Sequence, residues 1–231
     1  MLKAIIFDFN GIIVNDEPYH YRSMRDAVAE LGIHITEEEY YAEYLPMDDW
    51  SSLDAICCNH SIRISPEQRD RILKLKPRLY RTLIQGQCPL VRGVDDFIRA
   101  AAERYPLALA SAARREEIES VLATKGLLDC FRVILGAEDF PVSKPDPRSY
   151  LLALERLNQA VDGLSSPARP DECLVIEDSI GGVRGARAAG MACLAVAGTY
   201  PREQLTAATR VVGSLQEITF DSLQELLQRQ P

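Results

Sequence analysis

The sequence predicts an α/β fold: a parallel β-sheet with helices on both faces, plus an inserted all-helical domain. Three observations carry this. Short apolar runs recur along the chain, helical periodicity fills the gaps between most of them, and one block, residues 15–90, is helical only. Strands buried on both faces read as continuous apolar runs rather than alternating ones. Strand alternating with helix indicates βαβ units.

The first run, residues 3–7 (KAIIF), ends at Asp8. The helical block follows, with periodic stretches at 19–31, 37–44, 50–59 and 66–85. The rhythm then resumes with helix 94–104, run 107–112 (LALASA), helix 115–125 and run 132–135 (RVIL). Helix 147–157, run 173–176 (CLVI), helix 180–189 and run 192–197 (ACLAVA) come next. A weaker run covers 210–213, and residues 215–230 read as a closing amphipathic helix. Residues 162–171 (DGLSSPARPD) form a polar, turn-rich surface loop. The expected domains are a core of residues 1–14 and 92–231 and a helical domain of 15–91, with Gly11 and Gly93 near the crossings.

Composition excludes several function classes. The chain has 231 residues, 47% apolar and 26% charged, as expected of a globular enzyme. A net charge of −8 with no basic stripe argues against a nucleic-acid partner. No apolar run reaches the ~20 residues that a membrane span needs. The opening MLKAIIFDFNG meets Asp8 too early for a secretory signal. Six cysteines, Cys57, Cys58, Cys88, Cys130, Cys173 and Cys193, make no CxxC pair and no zinc spacing. Cys173 and Cys193 lie in apolar runs and are expected to be reduced, buried and inert, which fits a cytoplasmic location.

Ligands of open parallel sheets bind beyond the carboxyl ends of the strands. Reading the residue after each run gives Asp8-Phe9-Asn10-Gly11, then Ser111, then Lys144 within Ser143-Lys144-Pro145-Asp146, then Glu177-Asp178-Ser179. Taken singly, an acid at a strand end reads as a helix cap. Recurrence on four successive strands favours a site. Ser179 is expected to cap the helix that begins at Ile180. Gly181 and Gly182 are expected to admit close backbone approach. No GxGxxG is present, which removes a dinucleotide reading.

In this order and spacing, Asp8-x-x-Gly11, Ser111, Lys144-Pro145 and Glu177-Asp178-Ser179 resemble the four signature motifs of the haloacid dehalogenase (HAD) superfamily. The helical insert is similar to the cap of its β-phosphoglucomutase and phosphoglycolate phosphatase branch. The resemblance covers essentially the whole chain. It implies a Rossmann-like core and a Mg²⁺-dependent hydrolase, in the first place a phosphatase for a small phosphorylated metabolite. Asp8 is then the nucleophile that forms an aspartyl-phosphate. Asp8, Asp178 and the Asn10 carbonyl are expected to hold Mg²⁺, with Glu177 as a further ligand or as support. Lys144 is expected to pair with Asp8 and with phosphate oxygens, and Ser111 and the Ala112 amide to bind the phosphate. Two acids within reach of one cation are required, so carboxyl groups more than about 8 Å apart would end the assignment. The expected partner is the small substrate, with no nucleic acid or membrane, and the chain is expected to be a monomer or weak homodimer.

One position departs from the family. Its phosphatases and mutases usually carry a second Asp two residues after the nucleophile, as acid and base, and here that position is Asn10. An amide cannot exchange protons in that way. Four explanations are open: a substrate with a good leaving group, a substitute such as His20 or Glu17, ligand binding without turnover, or an introduced Asp-to-Asn change. In the cap, substrate contacts are expected in the first helix and near residues 44–50. His20, Arg22, Lys76 and Arg78 read either as substrate contacts or as surface residues. A metal-independent dehalogenase, a phosphomutase, a non-catalytic binding protein and a receiver-type domain are the rival readings. The Glu177-Asp178 pair disfavours the dehalogenase, Asn10 the mutase, and the motif order the receiver.

Overall fold

The computed structural model describes residues 1–45, 47–84, 89–160 and 166–228. The expected loop residues 162–165, the helix ends at 85 and 229–230, and Pro46 and Cys88 lie outside them. The chain divides into two compact units, Met1–Asn15 with Pro89–Pro231, and Asp16–Cys88.

The smaller unit is helical. Its first helix, α1 (Glu17–Val28), takes Pro18 in its first turn, where no amide hydrogen is needed. Helix α2 (Glu37–Glu39) starts at Thr36, whose hydroxyl accepts from the Glu39 amide at 3.1 Å. It runs at once into a π turn, Tyr40–Tyr44, where the sequence predicts continuous α-helix over 37–44. The Leu45 amide reaches back to the Tyr40 carbonyl at 3.0 Å, and this wider turn carries Tyr40 and Tyr44 both into the core. Helix α3 (Asp49–Asn59) is capped by Asp48, and α4 (Pro66–Ile84) completes the unit. Met24, Val28, Leu53, Ile56 and Ile72 fill the space between the helices.

The larger unit is a six-stranded sheet with every pair parallel, in the order β3-β2-β1-β4-β5-β6. The strands are β1 (Ala4–Phe7), β2 (Leu107–Ala110), β3 (Phe131–Leu135), β4 (Cys173–Glu177), β5 (Ala192–Val196) and β6 (Arg210–Val212). The helices are α5 (Val94–Ala102), α6 (Arg115–Thr124), α7 (Arg148–Ala160), α8 (Ile180–Ala188) and α9 (Phe220–Gln228). The closing helix expected over 215–230 is divided, with a 3₁₀ turn at Leu215–Glu217 before α9.

Strands β1, β2, β4 and β5 are buried at every residue, which explains their apolar spelling, broken only by Glu177 at the end of β4. Ala4 and Ile6 face one layer, with Tyr150, Ala153 and Leu157 of α7 and Val183 and Ala186 of α8. On the other face Phe7 meets Phe97 of α5 edge-on at 6.2 Å, and Phe97 stacks on Phe220 of α9 at 5.4 Å. Strand order reverses between β1 and β4, so their carboxyl ends flank the crevice where such sheets bind ligands. Cys173 and Cys193 are buried in β4 and β5, and burial raises both thiols, Cys173 to about 12. Buried, raised thiols of this kind hold little thiolate, the form that reacts. Among the described residues, no helix is long and apolar enough to cross a membrane.

Candidate active site

The residues that end the strands converge in the larger unit. Asp8 follows β1, and Glu177 and Asp178 end and follow β4. One ligand oxygen from each of Asp8, Glu177 and Asp178 lies within 4.8 Å of the others. That is inside the separation of about 8 Å beyond which two carboxyl groups could not share a cation. Lys144, on the segment after β3, inserts its ammonium between two of them, 2.7 Å from Asp8 Oδ1 and 2.6 Å from Glu177 Oε1.

The three carboxylates differ in how they are held. Glu177 is fully buried, and each of its oxygens is used. Oε1 accepts from Lys144 and, at 2.8 Å, from the Tyr150 hydroxyl. Oε2 accepts from the amides of Asp178 at 2.8 Å and Ser179 at 2.7 Å, and from the Ser179 hydroxyl at 2.9 Å. Burial alone would raise its pKa, but Lys144 and these donors outweigh burial and hold it below the usual carboxylate range. Asp8 has fewer partners. Burial, with Glu177 nearby, raises it to about 6 even against Lys144. Asp178 is pushed up well beyond the ordinary range by burial and by its two acidic neighbours. Its Oδ2 accepts from the Thr199 hydroxyl. Burial opposes the charge on Lys144, yet Asp8 and Glu177 together raise its pKa, so it is an ammonium.

With all three carboxylates ionised, the one ammonium would leave two negative charges in a buried space. The raised pKa values of Asp8 and Asp178 express that deficit. An all-oxygen donor set with two uncompensated charges fits a hard divalent cation of the Mg²⁺ class.

Ser111 sits at the end of β2, 1% exposed. Its Oγ lies 3.4 Å from Asn10 Oδ1, to which it donates, and accepts from the Ala113 amide at 3.2 Å. Asn10 is thus beside Ser111, and Ala112 is the exposed residue that follows it. Ser179 caps α8, accepting from the Gly182 amide at 3.0 Å. Of the two glycines expected to admit close backbone approach, Gly182 does and Gly181 does not. A Cβ on Gly182 would lie 1.6 Å from Glu177 Oε1, whereas one on Gly181 would meet only the Lys144 segment at ordinary contact distance. Gly11 is also enforced: its φ is +72°, and a Cβ would lie 1.8 Å from Asp178 Oδ2.

The smaller unit holds its own polar cluster. Lys76 is only 5% exposed, which removes the surface alternative of the two readings given to it. Its Nζ lies 2.7 Å from Asp49 Oδ1 and 2.9 Å from His20 Nδ1, and His20 Nε2 lies 3.3 Å from Asp16 Oδ2. Lysine donates only, so Nδ1 accepts and the ring proton belongs on Nε2. Glu17 accepts from the Tyr40 hydroxyl at 2.8 Å, and burial raises its pKa. Arg22 and Arg78 are exposed.

Tyr150 and Thr199 escaped the sequence reading. Thr199 lies three residues past the end of β5, and extending the strand-end reading to a fifth run would have reached it. Tyr150 lies on the inner face of α7, where a buried tyrosine reads as core.

Comparison with known proteins follows the same lines. Residues 2–190 match the family described as haloacid dehalogenase-like hydrolase. The phosphorylated carbohydrates phosphatase of Thermotoga maritima is 29% identical over 191 residues, 82% of each chain. Hexitol phosphatase B of Escherichia coli is 29% identical over 196 residues, 84% of this chain and 83% of that one. Among solved structures, a β-phosphoglucomutase from Clostridium difficile superposes with a TM-score of 0.77 at 26% identity, covering 99% of this chain and 98% of that one. A mutant of CbbY from Rhodobacter sphaeroides in complex with xylulose-(1,5)bisphosphate gives 0.75 at 26% identity, covering 94% and 96%.

Proposed function

The chain belongs to the haloacid dehalogenase-like hydrolases, and from that premise we propose that it is a Mg²⁺-dependent phosphatase of small phosphorylated sugars or sugar alcohols, with Asp8 as nucleophile. The observation that carries this is the Asp8 carboxylate at the end of the central strand, with Lys144 at 2.7 Å and Asp178 in reach of a shared cation. The relatives that act on phosphorylated carbohydrates and hexitol phosphates supply the substrate class.

Asp8 and Asp178, with the Asn10 carbonyl, would hold Mg²⁺. Glu177, whose oxygens already take five donors, supports Lys144 and the β4 turn instead. When bound, the cation offsets the repulsion between the carboxylate and the phosphate. An Asp8 oxygen attacks phosphorus, the bond to the ester oxygen breaks, and that oxygen takes a proton from water and leaves as the alcohol. Water then hydrolyses the aspartyl-phosphate, releasing phosphate and restoring Asp8. Lys144 orients Asp8 and neutralises phosphate oxygens, and Ser111 with the Ala112 amide binds the phosphate.

Asn10 can neither give nor take the proton these steps exchange. It favours slow turnover of alkyl esters and, as a second reading, retention of phosphate ligands. A phosphate-ester panel that includes hexitol phosphates and an aryl phosphate, run with Mg²⁺ and with chelator, tests the proposal. Phosphate release that needs Mg²⁺ and vanishes in Asp8→Asn is expected. No release from any ester would overturn it, and release that survives chelation would remove the metal.

A further inference from the structure

We infer that Thr199 is the positioning residue for the metal carboxylate Asp178, a role that rests on the magnesium-site reading above. Each acid of the cluster has its own anchor. Asp8 has Lys144, Glu177 has five donors, and Asp178 has the Thr199 hydroxyl, which donates to Oδ2. A carboxylate that holds a cation is ionised and only accepts, so the hydroxyl hydrogen belongs to this contact.

Packing restricts the same oxygen from a second side. A Cβ built on Gly11 would lie 1.8 Å from Asp178 Oδ2 and 2.9 Å from Thr199 Oγ1. Oδ2 and the hydroxyl are therefore both seated against the bare backbone of Gly11. With Oδ2 held by a donor and a wall, the torsion that swings the carboxylate is fixed, and the other oxygen is the one free to serve a cation. Thr199 reaches this place because β5 lies beside β4, so the segment after β5 passes next to the end of β4. Partners that orient metal ligands in this way are typically worth about 10- to 100-fold in metal affinity.

The test is Mg²⁺ titration by calorimetry on the full chain, on Thr199→Val, which keeps the shape without the donor, and on Thr199→Ser, which keeps the donor. Thr199→Ala serves in place of the valine variant if that does not fold, and metal-free melting temperatures verify folding. The expected result is about tenfold weaker Mg²⁺ binding for Thr199→Val and near-normal binding for Thr199→Ser. Equal affinity in the full chain and Thr199→Val, or an equal loss in the serine variant, would overturn the role of the hydroxyl alone. Failure of the unaltered chain to bind Mg²⁺ would instead overturn the metal site, and this inference with it.

Discussion

Lys144 donates to Asp8 at 2.7 Å, joining the segment after β3 to the end of β1 across 136 residues of sequence. The same ammonium is the counter-charge of Glu177, which has no exposure to solvent. Removing one partner of a buried pair leaves a charge without compensation, at about 3–5 kcal/mol. Lys144→Met is therefore expected to lose that much stability in urea unfolding at pH 7, and to lower phosphatase turnover by about 100-fold or more. A stable variant with unaltered turnover would show that the lysine has neither task.

Asn10→Asp is expected to raise turnover by at least about tenfold, since general acid–base help is worth roughly 10² to 10⁴. The contact with Ser111 survives the change. Asn10 Oδ1 is already an acceptor for Ser111 at 3.4 Å, and a carboxylate oxygen accepts equally well. The gain should be larger for an alkyl ester, whose leaving group needs the proton, than for an aryl phosphate. Steady-state rates on both esters check this, and equal rates for the two proteins would clear Asn10 of limiting the reaction.

Gly182→Ala is expected to displace Glu177, because the added carbon would fall 1.6 Å from Oε1. Overpacking of this kind costs about 1–3 kcal/mol. The shift should pass to Lys144 through their 2.6 Å contact, so turnover should fall along with stability. Gly181→Ala, which meets nothing closer than 3.7 Å, is the control. Equal behaviour of the two variants in melting and turnover would contradict the close approach of Gly182.

Asp8, Ser111, Glu177 and Asp178 were legible because a parallel sheet aligns its carboxyl ends. An apolar run therefore marks, by where it stops, where its next side chain will be. Lys144 needed the family resemblance as well, being nine residues beyond the end of β3. The anchors were harder. Tyr150 spells like core because most of its ring is core, with only the hydroxyl reaching Glu177. Thr199 carries no charge and follows its strand by three residues, so only the β4–β5 pairing shows its place. The burial of Lys76 is not legible because its counter-charge, Asp49, lies 27 residues away on another helix and no local pattern joins them. The π turn at Tyr40–Tyr44 was hidden because a wider turn and an α turn present nearly the same apolar spacing.

Magnesium binding should weaken as the solution is acidified. Asp8 is raised from 3.8 to about 6 by burial, so the folded protein prefers its neutral form. In metal-free protein this preference is a stabilising contribution, complete below pH 3.8 and lost as pH rises through about 6, worth ~3 kcal/mol in all. Asp178 acts in the same direction, and Glu177, lowered by Lys144, in the opposite one. A cation reverses the sense, since it needs the ionised carboxylate and must expel the proton at low pH. One pH unit below the Asp8 value makes that about tenfold in affinity. Mg²⁺ titrations at pH 7 and pH 5 should therefore differ by about tenfold or more, with the larger Mg²⁺-induced rise in melting temperature at pH 7. Equal affinity at the two values would mean that Asp8 is not among the groups the cation must deprotonate, and the placement of the metal beside it would have to be given up.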